Sequence, residues 1–231
     1  MAEAGHSANK THFQLDRISF FTDGVFAIAI TLLVIEFKVP VVEHPTDVLL
    51  WERLAHMGLL LLGFLISFCI VGYYWSVHHR IFGYVEKYTA RLIWLNLMFL
   101  FPVVLLPFTS GLLGEYASET HLHLPYGIYV ANICLTALMN AILWFYVSNP
   151  KHEILTHKIS KERILLGFYF TLVVPILFVI SFLVSLYDTT IGRLIPILIP
   201  IVLKYGLTGL TKRAFANEKK QDHISASSES H

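Results

Sequence analysis

Six apolar blocks, each of 20 or more residues, dominate this chain of 231 residues. A helix of about 20 residues is long enough to cross a hydrocarbon core about 30 Å thick. The blocks run over Ile18–Val39, Leu54–His78, Leu92–Leu113, Pro125–Ser148, Ile164–Leu186 and Ile191–Leu210. Together they occupy more than half of the chain, and what remains is short loops and tails. The composition agrees: 55% of the residues are apolar and only 14% charged, against about 25% charged in a typical soluble domain. The expected fold class is therefore an all-α membrane protein with six transmembrane helices. No stretch is left over for a soluble catalytic or nucleotide-binding domain. A net charge of +1 gives no reason to expect nucleic acid as a partner.

Lys and Arg set the expected orientation, because short cytoplasmic loops are enriched in them. Thirteen flank the blocks on the side that holds both termini, and three, Lys38, Arg53 and Arg193, lie on the other. Both termini are expected in the cytoplasm. Residues 1–16 read as a polar tail, 17–210 as the six-helix domain, and the Ser-rich 211–231 as a second, disordered tail. The first block is too long for the core of a cleaved leader, so it reads as a retained helix. Cys69 and Cys134 both sit within apolar blocks, where a free thiol packs as a small hydrophobe.

The first block carries the informative pattern, RISFFTDGVFAIAITLLVIE from Arg17. At about 100° per residue, Phe21, Ile28, Leu32 and Ile35 share one stripe, with Gly24 and Thr31 at its edge. Asp23 falls on the far side. A carboxylate within a membrane helix is costly and wants a partner; Arg17, six residues earlier, is placed to snorkel to the interface. Spacing alone leaves two readings of the stripe open. It packs against another helix or lipid, or it narrows a water-lined path that aliphatic rings gate by dewetting.

The second block ends in YYWSVHHRIF, with Trp75, His78 and His79. Adjacent histidines project about 100° apart, whereas a metal pair on one helix prefers a separation of four residues. A hydrogen bond from His78 to Asp23 or to Asn96 on the third block is the better expectation, since all three sit at similar depth. His121 and His123 read as solvated loop residues. Pro102 and Pro107 are expected to kink the third block. The segment Val71–Tyr74 shares letters with a potassium filter but lies mid-block with no re-entrant loop. No phosphate-binding loop, HExxH or GxSxG motif occurs, the polar residues cluster at helix ends rather than pairing a nucleophile with a base in one cavity, and no cofactor or metal site is expected.

With those residues in view, the chain resembles the transmembrane protein 175 family of lysosomal-type potassium channels, in its single-repeat bacterial form. Arg17-x-x-x-Phe21-Thr22-Asp23 is similar to that family's RxxxFSD signature, with Thr22 in place of serine. GVFAIAITLLVIE, the Trp75-x-x-His78-His79 pattern, Asn96 and Leu106-Pro107-Phe108 follow in order. The likeness is strongest over residues 17–110. It implies a homotetramer in a bacterial plasma membrane, with four copies of the first helix around a potassium-permeable pore. Ile28 would form the constriction with Leu32 and Ile35 as further rings, and Thr31 would bear on selectivity. Arg17, Phe21, Thr22 and Asp23 would join Trp75, His78 and Asn96 in holding the pore helix. Potassium and other monovalent cations are the permeant species, and only modest preference over sodium is expected of a waist with few oxygens. Glu36, near the outer end, reads equally as a cation-concentrating group or a snorkelling surface residue. The rival readings are a proton-coupled carrier using Asp23 and His78, then a membrane-embedded enzyme; a channel whose conductance His78 tunes with pH is third. Paired repeats and broken helices, the usual marks of a carrier, are not apparent.

Overall fold

The structure, a computed structural model, describes residues 2–36, 39–42, 44–152, 154, 155 and 159–204. It is all-helical apart from one isolated bridge: α1 (Ala2–Ile35), α2 (Asp47–His56), α3 (Gly58–Phe82), α4 (Ala90–Glu115), α5 (Leu124–Ser148), α6 (Lys161–Ser185) and α7 (Thr189–Leu194). Five of these, α1 and α3 to α6, are long and apolar enough to cross a membrane. Their bounds follow local chemistry. Thr89 and Ser160 cap α4 and α6 by accepting the backbone N–H of Leu92 and Arg163.

Three expectations change. The first helix does not begin near Ile18 but runs from Ala2, since the polar stretch before it is rich in good helix formers and contains no proline. The second block divides at Met57 into a short α2 and the spanning α3, so its start at Leu54 is too early. The sixth block opens as a six-residue helix, passes through a 3₁₀ turn at Ile195–Leu198 and resumes as α-helix over 199–204. Residues 205–210 of that block and the tail at 211–231 lie outside the described residues.

At the centre stand α4 and α5. The most apolar stretches of these two helices are half buried, whereas that of α1 is only 22% buried. Both prolines of α4 are buried without ending the helix. Asn132 of α5 reaches across, its Nδ2 donating to the Pro102 carbonyl at 3.1 Å and to Thr109 Oγ1 at 3.3 Å. These bonds tie α5 to α4 within its proline-containing stretch. α6 packs on α5, and Asn140 donates to Thr171 at 2.8 Å between them.

The corner from α6 into α7 depends on Gly192. A Cβ there would lie 2.4 Å from the Ser185 backbone, which has nowhere to retreat. Gly192→Ala is expected to open this corner at a cost of about 1–3 kcal/mol, read as a lower melting midpoint of the detergent-solubilised protein. An unchanged midpoint would show the corner to be looser than this.

Candidate functional site

α1 divides cleanly into two faces. Leu15, Thr22, Phe26, Ala29 and Leu33 are buried, and they recur at the three- and four-residue intervals of one helical face. That face packs on α4 and α3. The other face carries Phe21, Ile28, Leu32 and Ile35, of which Ile28 is 60% and Ile35 68% exposed. Gly24 and Thr31 lie exposed beside them. The Thr31 hydroxyl donates to the Ile28 carbonyl at 2.9 Å, which turns its oxygen lone pairs outward from that bond.

A buried polar chain fastens α1 to its neighbours. Asn96 of α4, 1% exposed, works in both directions. Its Nδ2 donates to Thr22 Oγ1 at 2.8 Å, and its Oδ1 accepts from His78 Nε2 at 2.7 Å. A carboxamide oxygen only accepts, so this bond places a proton on Nε2. Thr22 passes its own hydroxyl proton to the Ile18 carbonyl at 2.9 Å. The His78 ring is held flat: it stacks on Phe82 with centroids 4.3 Å apart and on Phe99 at 5.4 Å, with Phe26 at its edge. Three helices therefore meet at one amide.

Of the two partners weighed for His78, Asn96 takes the bond and Asp23 does not. The Trp75 indole N–H donates to Asp23 Oδ1 at 2.8 Å, on the exposed side of the α1–α3 contact. Trp75 was legible only as part of a motif; its role as the group that holds Asp23 needed the relative rotation of α1 and α3. Arg17 and Phe21 are exposed and stand outside the chain of bonds. Glu36 turns toward α4, where Gly111 makes room for its carboxylate; a Cβ at 111 would overlap it. His121 lies 3.6 Å from Glu119 on an exposed loop. Among the described residues no cluster of three or more His, Cys, Asp or Glu is placed to hold a metal.

A bundle of this kind defines a multi-pass helical membrane protein whose N-terminal helix is anchored along one side and open along the other. The family model described as the endosomal/lysosomal potassium channel TMEM175 matches residues 17–107, the region that holds this site. A potassium channel of Chryseobacterium sp. is 34% identical over 155 residues, covering 66% of this chain and 78% of that protein. One of Streptomyces collinus is 34% identical over 137 residues, covering 59% of this chain and 66% of that protein. The crystal structure of a lysosomal potassium-selective channel TMEM175 homolog from Chamaesiphon minutus superposes with a TM-score of 0.68 at 27% identity, over 87% of this chain and 98% of that one. The chain belongs to the TMEM175 family.

Proposed function

We propose that this protein is a potassium-permeable channel of the bacterial inner membrane, built as a homotetramer with four α1 helices around the conduction axis and both termini in the cytoplasm. The observation that carries this reading is the division of α1. The face the chain itself covers is tied down by Thr22, Asn96 and His78, and the uncovered face presents Ile28, Leu32 and Ile35 in a line. A helix cannot enclose a path alone, and closed rotational symmetry supplies the missing walls. Bacterial relatives named as potassium channels support the ion.

In this arrangement Ile28 makes the waist, Leu32 and Ile35 make wider rings beyond it, and Thr31 offers one hydroxyl per subunit between them. Rings of aliphatic side chains gate by excluding water when narrow. They give a passing ion few oxygens, so potassium preference is modest and rests on Thr31. Asp23 and Trp75 brace α1 against α3, and Arg17 and Phe21 lie toward the cytoplasmic entrance. The pore needs no cofactor. The carrier reading finds little support: Asp23 is bonded to Trp75, and His78, 3% exposed, is sealed between aromatic rings away from the open face.

Two measurements test the proposal together. Purified protein in liposomes is expected to pass potassium faster than sodium down matched gradients, without a proton gradient. Native mass spectrometry is expected to give four copies. Absence of passive flux for both cations, or a monomer that still conducts, would overturn it.

A further inference from the structure

The short helix α2 is more sharply two-faced than any of the long helices. Leu50, Leu54, Trp51, Ala55 and Val48 fall within an arc of about 160°, and Glu52, Leu49 and Arg53 occupy the opposite side. The apolar arc is bare: Trp51 is 72% and Val48 70% exposed. Asp47 falls in the same arc but is the first helical residue, where unpaired backbone N–H groups favour an anion.

Position restricts what covers this face. Met57 alone joins α2 to α3, whose spanning stretch begins at Leu60. Met57 and Glu36 line one cleft of about 340 Å³ at the end of the bundle where α1 finishes. The helix is therefore held at the height where spanning helices leave the hydrocarbon. One face of a ten-residue helix falls well short of the roughly 800 Å² per partner that a stable protein interface buries. A lipid surface makes no such demand, because the covalent link to α3 keeps α2 against it at high effective concentration. The most exposed side chain of the arc is an indole, whose apolar body and N–H suit the headgroup boundary.

We propose that α2 is an interfacial helix, lying along the bilayer surface with Val48, Trp51 and Leu54 in the acyl boundary and Glu52 and Arg53 in water. Binding of this kind scales with buried apolar area and fixes the helix in the plane of the membrane. It is independent of the pore reading.

The test uses the full chain in liposomes. With Cys69→Ser and Cys134→Ala in place, single cysteines at Val48, Trp51, Glu52, Arg53 and Leu54 carry a nitroxide. Collisions with oxygen are expected to dominate at 48, 51 and 54, and collisions with an aqueous nickel chelate at 52 and 53. Uniform nickel access would overturn the proposal in favour of a water-exposed helix. Exclusion of both reagents at 48, 51 and 54, with dipolar broadening, would overturn it in favour of a second copy. A second reading keeps the cysteines native. The fluorescence difference between wild type and Trp51→Phe isolates the Trp51 signal, which brominated lipid is expected to quench. Quenching by aqueous iodide alone would overturn the proposal.

Discussion

Ile28→Asn is expected to raise cation leak through reconstituted protein about tenfold or more and to bring potassium and sodium flux close together. A tenfold change in rate corresponds to about 1.4 kcal/mol of barrier. In the proposed tetramer, four amides in place of four sec-butyl groups supply that readily, because they would wet a ring that aliphatic groups keep dry. Ile28 is 60% exposed on the side of α1 away from its own subunit. The substitution therefore leaves the buried Phe26, Ala29 and Leu33 contacts intact, and the protein should purify as wild type does. Flux assays with opposed potassium and sodium gradients check this. Wild-type flux and selectivity in the variant would remove Ile28 from the waist.

Asn96→Leu should have the largest effect on the integrity of the protein. Leucine keeps the branched shape and the number of side-chain heavy atoms, though its methyls are bulkier, and it neither donates nor accepts. The His78 Nε2–H, held between Phe82 and Phe99, would lose the amide oxygen that accepts it. A buried donor stranded in this way costs about 1–3 kcal/mol. Interhelical hydrogen bonds in membranes average less, about 0.6 kcal/mol, because the separated helices find other partners. The stacked His78 ring lacks that freedom, so the upper range applies. Thr22→Val is expected to cost less, since Asn96 would still hold His78. Thermal unfolding of the two variants beside wild type checks both. Coincident midpoints for wild type and Asn96→Leu would show that the amide does not fasten α1.

Much of this was legible in the sequence because a bilayer simplifies the problem. Apolar length alone gave six spans, of which five are long helices here while the sixth is broken into shorter pieces as far as residue 204, and the two faces of α1 follow from its period. Asp23 pointing away from Ile28 is a wheel result that needs no neighbour. Sequence could not fix which groups meet across helices. His78, Asp23 and Asn96 share a depth, but depth leaves the rotation of α1 against α3 undetermined, and that rotation gives Asp23 to Trp75 and His78 to Asn96. The break at Met57 was hidden for a related reason. The apolar run from Leu54 continues through it without a proline, and only the change of face from α2 to α3 marks it. The N-terminal extension of α1 was masked by its polarity, which signals water rather than coil.

That extension has a mechanical meaning. At 1.5 Å per residue, the 34 residues of α1 make a rod about 50 Å long, of which the hydrocarbon takes about 30 Å. The apolar stretch is Phe13–Ile35, so the polar excess lies at its N-terminal end. Sharp bends in helices almost always need a proline, a Gly/Ser pair or a bulge, and between Ala2 and Ile35 there is no proline and only the isolated Gly5 and Gly24. The shaft therefore carries no residue pattern that would bend it sharply. A turn imposed on its N-terminal end meets the Thr22–Asn96 and Asp23–Trp75 bonds before it reaches Ile28, and the strength of those bonds sets how much of it arrives.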